Sequence, residues 1–308
     1  MPAHLARSSP STLLGIALVL LAVAFFALID TVNKHLSLHV PIMMIIWVRY
    51  VTQAVLTSGF FLPKLGMQVF KTQHLGLQFT RGILFTLLTL LAIASLQVFP
   101  VAEFTAILMT TPLFVTFFAA TMLGEHVSLW RVALVLGGFV GTLVIVRPGQ
   151  SEIGWAVVYP LGVVAVNTAF QLITKRLAAT EHGMTTHFYS VWVGAILSSL
   201  ALAWIWTPLS DPSLWALLLL IGFAGTVGHY FLIKAYEHAP ASTLMPYMYA
   251  QIGFALLGGW MAFGNVPDHT SLIGIALITV CGVAGGASAR CGDHPACRFR
   301  SARQQNGH

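Results

Sequence analysis

Four ionisable side chains, Asp30, Arg49, Glu103 and His229, stand inside long apolar runs. A charge at the centre of a bilayer costs about 2.5–3.5 kcal/mol on insertion scales, so each needs a chemical reason. Glu103 lies one turn into its run, where a carboxylate serves either as a proton carrier or as a helix-start charge favoured by the dipole. The His229 imidazole serves either as a proton site or as a hydrogen-bonded packing group. These two are the candidates for proton coupling. Asp30 and Arg49 fall near the same ends of the first two runs, and at 1.5 Å per residue their depths differ by about 5 Å. They either pair, line the outer half of a cavity, or do both. The rigid fork of Arg49 suits anionic or planar polar groups.

Polar stripes add to this set. Asn167 and Gln171 are one turn apart on one helix face, and Tyr247 and Gln251 share the same spacing, with Tyr249 on another face. In lipid such stripes face protein or a water-filled cavity. The alternative is interhelical hydrogen bonding, worth about 0.6 kcal/mol. Tyrosines also stack on aromatic or heterocyclic solutes. Asp30, Arg49, Asn167, Gln171, Tyr247 and Gln251 are therefore the solute-binding candidates. Arg81, near a helix end, is expected to snorkel to the interface. No catalytic or metal site is expected. Neither HExxH nor GxSxG occurs, and Cys291, His294 and Cys297 match no zinc spacing. No cofactor is expected either.

The elements that must position these residues are helices in lipid. The 308 residues are 57% hydrophobic and 8% charged, with mean hydropathy +0.84, whereas soluble proteins carry about 25% charged residues. Ten segments qualify as spans: 12–34, 41–62, 75–96, 101–123, 129–146, 153–174, 184–206, 214–236, 242–263 and 272–289. The first is read as an uncleaved helix rather than a signal peptide, because its apolar run is long enough to span. With the N-terminus inside, twelve of the 15 lysines and arginines fall on the cytoplasmic side and two, Lys34 and Arg147, on the other. That bias places both termini in the cytoplasm, and the net charge of +6 belongs to membrane orientation rather than to nucleic acid.

The chain also reads twice. A shift of 140 positions carries Gly82 onto Gly222, Thr86 onto Thr226, Pro100 onto Pro240 and Gly124 onto Gly264. Five spans per half is an odd number, so the halves must insert upside down relative to one another, with a shared site at midplane. The expected fold is an all-α membrane protein of ten transmembrane helices in two inverted five-helix repeats. A cytoplasmic N-terminus (1–11), the repeats (12–149 and 153–289) and a basic cytoplasmic tail (290–308) make up the chain. Pro112 and Pro246 break the fourth and ninth spans. Gly137 and Gly141 form a GxxxG, for close packing within the chain or for pairing of two copies.

Arg81-Gly82, Pro112-Leu113, Leu123-Gly124-Glu125, the stretch from Arg131 to Gly141, Ile145-Val146-Arg147-Pro148-Gly149, and Ala235-Tyr236 with Ala239-Pro240-Ala241-Ser242 carry a family resemblance. In that order and spacing the chain resembles the EamA family of the drug/metabolite transporter superfamily over about residues 12–289. Asp30-Thr31-Val32-Asn33-Lys34 and Trp47-Val48-Arg49-Tyr50 look like the branch with riboflavin and S-adenosylmethionine carriers. One departure stands out: Gly264 is followed by Asn265, where the family often repeats the Gly-Glu pair. The resemblance implies a multi-pass bacterial inner-membrane secondary transporter of small metabolites, whether amino-acid-like, nucleoside- or flavin-like, or drug-like. Its expected partners are the small-molecule substrate, membrane lipid and protons. The competing class is an integral membrane enzyme acting on a lipid-linked substrate. A central convergence of Asp30, Arg49, Asn167, His229 and Gln251 favours the carrier, and a cluster at one interface favours the enzyme.

Overall fold

Apolar runs bounded by Gly, Pro, Asp and Asn become helices because lipid leaves backbone groups no partner outside the segment. A computed structural model describes residues 10–122, 129–147, 154–239 and 241–293. Within them the helices are α1 (Pro10–Ser37), α2 (Ile42–Leu65), α3 (Leu75–Val98), α4 (Val101–Leu108), α5 (Thr111–Met122), α6 (Leu129–Val146), α7 (Val158–Leu177), α8 (Gly183–Ile205), α9 (Pro212–His238), α10 (Ala241–Met248), α11 (Ala250–Phe263) and α12 (His269–Asp293). Helix starts carry local signals. Asp211 accepts a hydrogen bond from the Ser213 amide (2.8 Å), with Pro212 opening α9. Gly264 closes α11 at φ 67°, a left-handed conformation suited to glycine. His294 and Cys297 lie outside the described residues.

Two of the ten expected segments each divide in two. The fourth becomes α4 and α5, broken at Met109 and Thr110, and the ninth becomes α10 and α11, broken at Tyr249. Pro112 explains the first break: it has no amide hydrogen for the Leu108 carbonyl, and α4 ends at Leu108. The Thr110 hydroxyl donates instead to the Ile107 carbonyl (2.7 Å).

The 140-residue shift reappears in the helix ends. Helices α1, α2, α3 and α4 end at Ser37, Leu65, Val98 and Leu108, and α7, α8, α9 and α10 end at Leu177, Ile205, His238 and Met248. The breaks at Met109 and Tyr249 keep the same interval. Packing follows the correspondence: α1 lies on α9 and α3 on α7, while α2 packs on α8 and α6 on α12. The corresponding helices α2 and α8 run antiparallel. Trp47 near the start of α2 donates to Ser199 near the end of α8 (2.9 Å), and Trp192 earlier in α8 donates to Ser58 late in α2 (3.1 Å). A Cβ on Gly137 would lie 2.6 Å from Cys281 Sγ, and one on Gly141 2.7 Å from Ile278. The GxxxG thus serves the α6–α12 contact inside the chain.

Five stretches among the described residues are long and apolar enough to cross a membrane: Thr12–Ser37, Ile42–Phe60, Leu75–Val98, Trp155–Leu177 and Pro212–His238. Their outer faces expose large apolar side chains, Leu21, Ile83, Leu219 and Phe223 among them. Hydroxyls inside the helices bond back to the preceding turn, as Thr31 does to Ala27 (2.9 Å) and Thr168 to Val164 (2.7 Å).

Candidate functional site

A cavity of about 1130 Å³ runs through the middle of the bundle. Helix α3 supplies one wall through Arg81, Phe85 and Thr89, spaced four residues apart and therefore on one face. Helix α7 supplies the adjoining stripe of Asn167, Phe170, Gln171 and Thr174. Arg81 ties the two walls to α8. Its Nε donates to Thr174 Oγ1 (2.7 Å), and one terminal nitrogen donates to the Thr186 carbonyl (3.0 Å) and to Ser190 Oγ. Its guanidinium carbon lies 4.3 Å from the centroid of the Phe170 ring.

Aromatic rings continue the lining. Phe85 stacks on Phe170 at 5.3 Å and 18°. His229 meets Phe85 and Phe26 edge-on, and His187 stacks on it at 4.6 Å. His229 Nδ1 donates to the Gly225 carbonyl (2.8 Å); a carbonyl only accepts, so this nitrogen carries the hydrogen. The Tyr50 hydroxyl lies 2.9 Å from the Phe85 carbonyl and 2.7 Å from Thr89 Oγ1, holding α2 against α3.

Asp30 and Arg49 both line the cavity but form no ion pair. Asp30 Oδ2 accepts from Gln251 Nε2 (3.2 Å), a bond from α1 to α11. Arg49 is 8% exposed, and its Nε has no hydrogen-bond partner among the described residues. Asn167 donates to Thr111 Oγ1 (3.3 Å) at the α4–α5 break.

The cavity reaches the bundle end formed by the close of α7, the start of α8 and the close of α9, where Lys175, Glu181 and Glu237 line it. Glu181 there accepts from Thr72 (2.8 Å) and from the Gln73 amide (2.7 Å), and Glu237 is paired with Lys234. The opposite end is tied shut. Lys34 Nζ donates to the Leu96 and Phe99 carbonyls, both at 2.8 Å. Arg147, just past α6, grips both oxygens of Asp268, just before α12, at 2.5 and 2.6 Å. That grip, with the Ser271 amide, holds the Asp268 carboxyl well below the usual carboxylate range.

Asp30, Arg49, Asn167, Gln171, His229 and Gln251 thus share one cavity, whereas Tyr247 and Glu103 are absent from its lining. The break at Tyr249 falls between Tyr247 and Gln251 and interrupts the helical face that would have joined them. Tyr249 turns inward instead, donating to the Met109 carbonyl (3.0 Å), and Tyr247 stays 36% exposed. Glu103 is buried in the first turn of α4 with Oε2 unpartnered among the described residues. Sequence reasoning missed His187 and misplaced Arg81, which is 7% exposed and points into the cavity rather than to an interface. The signal for Arg81 was Phe85 and Thr89 beneath it at four-residue spacing.

A bundle of apolar helices around a cavity lined by polar and aromatic side chains is the build of a membrane transporter. The sequence profile of the EamA-like transporter family matches residues 13–147 and again 154–284, and the chain belongs to that family. Among its relatives, a riboflavin transporter of Rhizobium johnstonii is 31% identical over 89% of this chain and 91% of that one. An S-adenosylmethionine uptake transporter of Rickettsia conorii is 24% identical over 86% and 90%. A solved crystal structure with 18% identity superposes at a TM-score of 0.64, covering 94% of this chain and all of that one, and shares the fold.

Proposed function

We propose that this chain is a secondary carrier of small heterocyclic metabolites in the bacterial inner membrane. The observation that carries the reading is the central cavity, lined by polar and aromatic side chains from both halves of the chain and tied shut at the end where Lys34 and the Arg147–Asp268 pair lie. The chain crosses the membrane ten times, the split α4–α5 and α10–α11 counting as one crossing each, with both termini cytoplasmic. The repeats, about 12–149 and 153–289, are inverted copies, as the antiparallel packing of α2 on α8 supports. The cavity is then open to the cytoplasm, and rocking of the halves opens the other end.

The candidate residues take roles within this scheme. Arg49, Asp30, Gln251, Asn167 and Gln171 bind the solute inside the cavity. His229 and Glu103 exchange protons, His229 at the cavity and Glu103 beyond its closed end. The convergence of Asp30, Arg49, Asn167, His229 and Gln251 on one central space favours a carrier over an enzyme acting on a lipid-linked substrate. The relatives named for riboflavin and S-adenosylmethionine point to solutes with a planar ring.

The test uses the purified chain in lipid vesicles, with uptake and efflux of a panel of flavins, nucleosides and amino acids measured with and without a pH gradient. At least one ring-bearing solute should move, and faster with the gradient. No movement of any panel solute would sink the carrier reading. Accumulation indifferent to the gradient would replace proton coupling with facilitated exchange.

A further inference from the structure

Buried charge in the cavity does not balance. Arg49 and Arg81 are both more than nine-tenths buried and both line it. Among the described residues lining the cavity, Asp30 is the one carboxylate away from its mouth, and Gln251 already engages one of its oxygens. With the imidazoles neutral, two guanidinium groups against one carboxylate leave one positive charge uncompensated. The charges nearer the mouth cancel among themselves and do not correct this: Lys175 stands against Glu181, and Glu237 is paired with Lys234. A buried charge without a partner is costly, so the site is built to receive a counter-charge.

The two arginines are not equivalent. Arg81 spends its fork on Thr174, Thr186 and Ser190 and lies over the Phe170 ring, so it is a fixed platform. Arg49 keeps its Nε unpartnered among the described residues, and its fork is free to grip an oxyanion in two places. Phe85 and Phe170 line the same cavity and give it aromatic surface.

We propose that the cavity selects a planar heteroaromatic solute bearing a negatively charged group, carboxylate or phosphate, with the oxyanion on Arg49 and the ring against Phe85 and Phe170. The proposal rests on the reading that this cavity is the transport site. It adds charge selection: a neutral flavin is a weaker ligand than an anionic one of the same ring, and a cationic heterocycle is disfavoured.

The full chain in lipid nanodiscs, titrated by flavin fluorescence quenching, provides the test. Riboflavin is the neutral probe, 10-carboxymethylflavin the carboxylate probe and riboflavin 5′-phosphate the phosphate probe. The readout is the ratio of anionic to neutral affinity, taken within each variant so that differences in the ring substituent cancel between variants. Arg49→Gln should lower this ratio by about tenfold or more, because a hydrogen bond to a charged group is lost. Asp30→Asn should raise it, by removing the competing carboxylate without touching Arg49. Arg81→Gln should weaken all three probes through loss of the platform. The anion whose ratio falls more in Arg49→Gln identifies the favoured group.

A ratio unchanged in both Arg49→Gln and Asp30→Asn overturns the proposal, as does failure of every flavin to bind. The carrier reading survives either result if another panel solute is still transported in vesicles. Should Arg49→Gln fail to fold, Asp30→Asn alone decides: a raised ratio supports the proposal and an unchanged one overturns it.

Discussion

Arg81 is where a single side chain does most to organise the cavity. It reaches a hydroxyl on α7, a carbonyl and a hydroxyl on α8, and the face of Phe170, all from α3. A lysine keeps the charge but is a single point with no planar fork, so it cannot hold two helices and a ring together. Arg81→Lys should therefore lower transport by about ten- to hundredfold, since charged hydrogen bonds are worth about 1.5–3 kcal/mol each, while the protein still inserts. Initial uptake rates normalised to the amount of inserted protein check this, and wild-type rates would remove Arg81 from the site. That role was only half legible in the sequence. The charge and its four-residue ladder to Phe85 and Thr89 are plain, but depth is not: a residue six positions into a helix reads as close to the interface. Only the tilt and packing of α3 against α7 and α8 show that Arg81 lies inside. Gln251 was easier, because a polar amide amid apolar residues in lipid has few places to point.

Between helices, glycines set how closely elements approach. A Cβ on Gly222 of α9 would sit 2.5 Å from Thr52 Cβ on α2 and 3.2 Å from the Arg49 carbonyl. Neither atom is the end of a flexible chain, so Gly222→Ala must push α9 off α2, at a cost of about 1–3 kcal/mol typical of overpacking. Gly253 on α11 meets nothing within 4 Å, so Gly253→Ala is the matched control. Thermal unfolding in detergent should show a lowered midpoint for Gly222→Ala and none for Gly253→Ala; equal midpoints would mean that the helices adjust freely. Helix existence and the repeat offset were legible in sequence because both depend on apolar run length and on Gly and Pro punctuation. The breaks were less so. Pro112 announces the first by removing a donor at the right place, but the second falls at Tyr249, three residues beyond Pro246, and no local signal marks that distance. The exchange of partners, α1 with α9 and α3 with α7, was not legible at all, since long-range pairing leaves no trace in local pattern.

At the scale of the whole molecule, the Arg147–Asp268 pair ties the two halves together at the closed end, 121 positions apart in the chain. The sign of its pH dependence follows from the depressed Asp268 carboxyl. A lowered folded-state value means that the pairing is fully present above the ordinary value of 3.8 and is lost only as pH falls below it, through the folded value. Hydrogen exchange around residues 141–147 and 268–275, corrected for intrinsic rates, should therefore stay flat between about pH 5 and 8. Asp268→Asn should speed that exchange throughout the range. Exchange that rises in the wild type below about pH 6 would show that another group opens this end.

The pair has a further consequence through symmetry. If the halves were identical, facing one side and facing the other would be the same structure turned over, and the two orientations would be degenerate. Each difference between the halves lifts that degeneracy. Shifted by 140 positions, Arg147 falls on Ala287 and Asp268 on Ser128, so the pair is not copied at the corresponding positions of the other half. Under the proposed rocking of the halves, the resting orientation is set in the places where the second half stopped copying the first, and exchanging one such pair between ends would turn the default direction around.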